Sequence, residues 1–217
     1  MGCTIAMTFS LPPSAQNILC LGAHADDIEI GCGGTLLQWT NARSDLRIQW
    51  VVFSAEGKRA AEARASAKAL LPKAKQKVVV KQFHTSFFPF QGEKVKNYFE
   101  TLKDSFTPDV IFTHYRDDRH QDHRLLSDLT WNTFRSHLIL EYEIPKYDGD
   151  LGSPNLFVTV PDEIARQKVA HLCRFFQTQA NKHWFEEETF LALMRLRGME
   201  CASRYAEAFY CRKLILS

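Results

Sequence analysis

Short apolar runs alternate with stretches of helical spacing along most of this chain. Residues 17–22 (NILCLG), 47–53 (RIQWVVF), 77–83 (KVVVKQF) and 109–113 (DVIFT) have strand length and strand composition. Between them, helical patterns fall at residues 33–42, at 58–71 up to Pro72, at 93–106 and at 121–137. In the third of these, Val95, Tyr98, Phe99, Leu102 and Phe106 share one helical face. Two later runs, 137–144 and 155–160, predict further strands, and 162–178 and 183–197 predict peripheral helices. This β-then-α order predicts an α/β fold, a Rossmann-like three-layer α/β/α arrangement with a largely parallel sheet, as one domain over residues 1–217. Sites in such sheets form beyond the carboxyl ends of the strands.

Composition narrows the class of partner. The 27 Lys+Arg balance 25 Asp+Glu to a net charge of +2, so no basic field points to nucleic acid and a small molecule is the expected ligand. No apolar stretch approaches the roughly 18 residues of a membrane span. The six cysteines form no CxxC, which argues against a thiolate zinc site or a redox pair and for buried thiols in a reducing compartment. Residues 1–25 carry no Asp, Glu, Lys or Arg, yet they have no basic leading region and are interrupted by Pro12-Pro13. They do not read as an export signal, and a cytoplasmic protein is expected, with a homo-oligomer compatible with the sequence.

The chemistry concentrates at two strand ends. After the first strand comes GAHADDIEIGCGGT, with His24, Asp26 and Asp27; after the fourth comes HYRDDRHQDH, with His114, His120, Asp122 and His123. A His and an Asp from one loop and a His from the other supply two nitrogens and a carboxylate, and leave an open position on Zn²⁺ for water. Such a set also suits Fe²⁺ or Mn²⁺. His24 and Asp27 can turn toward one metal, which leaves Asp26 between them to take a proton from water. His120 and His123 are three apart and share a side, so one can bind metal while the other, protonated, meets a substrate oxygen. Asp122 can orient an imidazole.

Other readings compete for the same residues. Asp26 or Asp27 can cap a helix, RDDRHQDH can be a solvated loop, and His114 can pack at its strand end. His84, His137, His171 and His183 lack comparable context. The glycines of GCGG suggest a dinucleotide turn, but eight residues, 23–30, separate strand and first glycine, so close helix packing is the better account. A nucleotide-binding module with HADD and RHQDH as caps, or a zinc peptidase or esterase, are the alternatives to weigh.

At these residues the sequence resembles the LmbE-like, or PIG-L, family of metal-dependent N-acetylglucosamine deacetylases. The resemblance rests on GAHADDIEIGCGGTL, TPDVIFTHYRDDRHQDHR and RYAEAF at residues 204–209, with Ala25 where the family usually has proline. It implies Zn²⁺ held by His24, Asp27 and His123, with Asp26 as general base. His120 would stabilise the oxyanion and assist amine departure, and Asp122 would orient His120. Arg59 and Glu62 are similar to an R-x-x-E stretch whose arginine contacts sugar hydroxyls. His84-Thr85-Ser86 stands where relatives often carry Arg-Asp, a departure at the sugar-recognition loop. Phe87, Phe88 and Phe90 could form an aromatic wall or could pack into the core, and Arg59, His114 and Phe88 are the candidate substrate contacts. The implied reaction is hydrolysis of an N-acetyl group on an amino sugar conjugate or related small metabolite.

Overall fold

The computed structural model describes residues 10–215, which leaves Cys3 outside the described part. Seven strands form one sheet in the order β3-β2-β1-β4-β5-β7-β6. They are β1 (Asn17–Gly22), β2 (Arg47–Val52), β3 (Lys75–Val80), β4 (Val110–His114), β5 (Leu138–Tyr142), β6 (Leu156–Val160) and β7 (Tyr205–Cys211). The first five run parallel; β7 is antiparallel to both of its neighbours, β5 and β6. The helices are α1 (Asp27–Ala42), α2 (Gly57–Leu70), α3 (Gly92–Ser105), α4 (Gln121–Thr133), α5 (Asp162–Phe175) and α6 (Glu187–Glu200). The α/β/α architecture expected from the strand and helix order is the one observed.

The strand sequences explain the layers. Ile18 and Cys20 of β1 join a core with Ile28, Leu36 and Leu37 of α1, Ala63 and Ala67 of α2, Val169 of α5 and Met194 of α6. Leu19 and Leu21, on the opposite face, join Phe99 of α3 and Leu126 of α4. Burial on both faces is why β1 and β4 read as continuous apolar runs without alternation. The chain proceeds from β1 outward to β3, then crosses back to pair β4 against the other side of β1. That reversal opens a crevice at the carboxyl ends of β1 and β4, the two strands that precede the polar motifs.

Helix α1 is broken internally, and the break accounts for the glycines. Cys32 has non-helical φ/ψ (−142°, 15°). The Glu207 carboxylate of β7 accepts the Gly34 and Thr35 backbone N–H groups at 2.8 and 2.7 Å, and so caps the second half of the helix. Lys168 of α5 donates to the Ile30 carbonyl and to Glu207, both at 2.6 Å. A Cβ at Gly31 would lie 2.1 Å from the Tyr142 ring, and one at Gly34 would lie 3.0 Å from Glu207. GCGG therefore lies inside a helix packed against β5 and β7, not in a strand-to-helix phosphate turn. Breaking this buried ion pair leaves Lys168 uncompensated, so Glu207→Ala should destabilise the chain by about 3–5 kcal/mol. Denaturant unfolding checks this, and adding Lys168→Met should recover part of the loss.

Candidate metal centre

The loop after β1 and the first turn of α4 bring three donor atoms together. His24 Nδ1 lies 3.1 Å from His123 Nε2 and 3.4 Å from Asp27 Oδ2, and His123 Nε2 lies 3.6 Å from Asp27 Oδ2. Bonds of about 2.0–2.2 Å to a tetrahedral Zn²⁺ imply ligand–ligand edges of about 3.3–3.6 Å. The triangle has the size of one face of such a tetrahedron, so these residues fit a small divalent cation.

Each ligand is turned by a neighbour. The Asp122 carboxylate lies 3.3 Å from His24 Nε2, which leaves the Nδ1 lone pair for the metal face. Asp118 lies 2.9 Å from His123 Nδ1 and does the same for Nε2. Asp27 Oδ2 accepts the His24 backbone N–H at 2.6 Å. Burial opposes charge on His24, but Asp27 and Asp122 outweigh it and lift its pKa from 6.5 to about 10. Burial, reinforced by His114, pushes His123 down to about 3. The site thus joins a neutral imidazole to a field that favours positive charge.

Asp26 stands beside this triangle. Its carboxylate makes no helix-capping bond; Oδ1 accepts from Arg59 Nη2 at 2.7 Å, and Oδ2 is buried without a partner among the described residues. Burial raises its pKa, with the Arg59 guanidinium acting in opposition. His120 forms the N-cap of α4, and its Nδ1 accepts the Asp122 backbone N–H at 3.2 Å. With Nδ1 an acceptor, the neutral form of the ring carries its proton on Nε2. Burial, with the charge on His24 second, lowers the His120 pKa.

Three expectations change. Phe88 is fully buried, between Phe53 and Phe83, and cannot be a substrate contact; of the three phenylalanines, Phe87 and Phe90 are the exposed pair. His114 is also fully buried: its ring stacks on His123 at 3.8 Å and its Nε2 accepts the Ala23 N–H at 3.0 Å, so it backs the centre instead of facing substrate. Asp122 meets the His120 ring through its backbone N–H, not through its carboxylate. Its carboxylate instead bridges His24 and the turn at residues 84–91, accepting the Ser86 and Phe88 N–H groups at 2.6 and 3.1 Å.

Asp118 is the residue the sequence analysis missed, and Lys146 holds the same oxygen at 2.9 Å. Loss of a partner that orients a metal-binding histidine costs roughly 10–100-fold in metal affinity. Asp118→Asn should weaken binding to that extent in a chelator competition while the fold is retained.

The PIG-L family, described as GlcNAc-PI de-N-acetylase, matches residues 19–134, which span β1 to the end of α4. The fold is similar to that of N,N'-diacetylchitobiose deacetylase from Pyrococcus horikoshii, with a TM-score of 0.72, 20% identity, and coverage of 90% of this chain and 83% of that one. GalB, the 4-carboxy-2-hydroxymuconate hydratase from Pseudomonas putida KT2440, has the same TM-score of 0.72 at 15% identity, covering 93% and 98%. A zinc inhibited form of teicoplanin deacetylase Orf2 aligns with a TM-score of 0.67 at 14% identity, covering 90% and 97%. Since the matched family segment spans more than half of the sequence and includes both motifs of the donor triangle, the chain belongs to the PIG-L (LmbE-like) deacetylase family.

Proposed function

We propose that this protein is a metal-dependent N-deacetylase that hydrolyses the acetamide of an amino sugar conjugate or a related small N-acetylated metabolite. The observation that carries the proposal is the donor triangle of His24, Asp27 and His123, with Asp26 between two of these residues in sequence and its Oδ2 buried without a hydrogen-bond partner among the described residues. A divalent cation held by these three residues would polarise the amide carbonyl and lower the pKa of water.

The chain supplies the remaining groups. Asp26 takes a proton from the attacking water as its oxygen adds to the carbonyl carbon. His120 Nε2–H meets the negative charge that develops on the carbonyl oxygen. The C–N bond then breaks, and the leaving nitrogen takes a proton from Asp26, which has just acquired one. Acetate and a free amine are the products. His24 and Asp27 are held by the backbone of one turn and His123 by Asp118, so this geometry is prepared before substrate arrives.

Support for a sugar-like substrate comes from the family and from the chitobiose and teicoplanin deacetylases that share the fold. The zinc inhibited neighbour makes a panel of metals the right test, not zinc alone. Protein loaded separately with Zn²⁺, Fe²⁺, Mn²⁺ or Co²⁺ should release acetate from at least one N-acetylglucosamine conjugate and lose that activity to a chelator. Cleavage of peptides or esters alone, or hydration of an unsaturated acid with no acetate released from any acetamide, would sink the reading.

A further inference from the structure

The R-x-x-E stretch at Arg59 and Glu62 has a role in this structure other than the sugar contact its resemblance implies. Both residues lie on the first turns of α2, three apart, so their side chains share a face. Glu62 accepts the Thr178 backbone N–H at 2.9 Å and its hydroxyl at 2.5 Å, which ties α2 to the connection between α5 and α6. Arg59 Nη1 lies 3.5 Å from Glu62 and 3.4 Å from Thr178, its guanidinium carbon is 5.7 Å from the Phe176 ring centre, and its Nη2 reaches Asp26 Oδ1 at 2.7 Å. The planar fork is therefore fixed by four neighbours before substrate arrives.

That clamp makes the two oxygens of Asp26 unequal. Oδ1 is occupied by the guanidinium, and Oδ2 is buried with no partner among the described residues. We propose that Arg59 is a positioning residue, anchored by Glu62 and Thr178, that fixes the Asp26 carboxylate through Oδ1 so that Oδ2 alone exchanges the proton. The proposal rests on the deacetylase reading above. A base must reach its proton within hydrogen-bond distance, and small errors of aim cost rate instead of affinity. Lysine would not substitute, because a point charge lacks the fork that holds Asp26, Glu62 and Thr178 together.

The test separates kcat from KM on the substrate that the wild-type protein deacetylates. Arg59→Ala and Arg59→Lys should each lower kcat by roughly 10–100-fold with KM within about twofold, consistent with the rate cost of a misplaced catalytic group. Bound metal, measured by elemental analysis, should stay at the wild-type ratio because Arg59 touches no atom of the donor triangle. Ethylguanidinium added to Arg59→Ala should restore part of kcat, since the Arg59 side chain is 24% accessible and its removal opens a path. Glu62→Gln, which keeps Arg59 but loosens its anchor, should lower kcat a few-fold at unchanged KM. A tenfold rise in KM with kcat held within twofold would assign Arg59 to substrate binding and overturn the proposal. So would a folded, metal-replete Arg59→Ala protein that guanidinium does not rescue. If wild-type protein releases no acetate, the deacetylase reading itself fails; if it does and Arg59→Ala keeps its kcat, only the positioning role fails.

Discussion

Asp26→Asn should lose roughly 10²- to 10⁴-fold in turnover, the range for removing a general base, while binding metal as wild type does. The amide has nearly the shape of the carboxylate. Its carbonyl oxygen can still accept from Arg59, which now contacts Oδ1 at 2.7 Å, and the NH₂ group occupies the place of Oδ2. What disappears is the capacity to take a proton. Because Asp26 is outside the triangle of His24, Asp27 and His123, metal content should not fall with activity. Kinetics and elemental analysis on the same preparation check both halves. An Asp26→Asn protein that turns over within tenfold of wild type would move the base elsewhere.

Much of this site was legible because two motifs follow two buried strands. Short apolar runs without alternation predict strands covered on both faces, and the polar residues directly after β1 and β4 then have to meet at one edge. The candidate donor triangle needed less from the fold than its supporting contacts did. Asp122 shows the reason. It is two residues from His120 in sequence, but residues two apart on a helix point to nearly opposite sides, so its carboxylate turns away from His120 and toward His24 and the turn at Ser86. Asp118 was hidden for a different reason. It is one of three acids in RDDRHQD, and only the path of the loop decides that it, and not Asp117, sits under His123.

Strand β7 shows where pattern reading stopped. Its sequence YAEAFYC carries a charge in mid-strand, which breaks its apolar run into two short pieces. That charge is Glu207, buried because it caps α1 and pairs with Lys168. The residue that conceals the strand from a hydrophobicity pattern is thus the one that holds the first motif in place. Phe88 is a similar case in miniature: three phenylalanines surround one proline, and a short helical turn at Phe88–Gln91 sends one ring into the core and leaves two outside.

His24→Ala and His114→Gln should part company, although both histidines lie within 3.4 Å of the same Asp27 oxygen. His114 can also be grouped with Asp27 and His123 on distance alone, so proximity does not identify the ligand. Lone pairs do. The His114 Nε2 lone pair is taken by the Ala23 N–H at 3.0 Å, and its other nitrogen is buried away without a partner. His24 has the reverse arrangement: Nε2 faces Asp122, and Nδ1 faces the donor triangle. His24→Ala should therefore weaken metal binding by more than the roughly 10–100-fold that loss of a supporting partner costs, and abolish turnover with it. In His114→Gln the amide oxygen can accept the Ala23 N–H, so metal affinity should stay within tenfold of wild type. His120→Gln makes the third arm: metal retained, and turnover lowered by roughly 10²–10³-fold, as for loss of one oxyanion donor. Chelator competition on the three proteins reads the first quantity and acetate release the second. Metal loss in His114→Gln with retention in His24→Ala would exchange the two histidines and move the open coordination position to the buried side of Asp27, where no substrate could reach it.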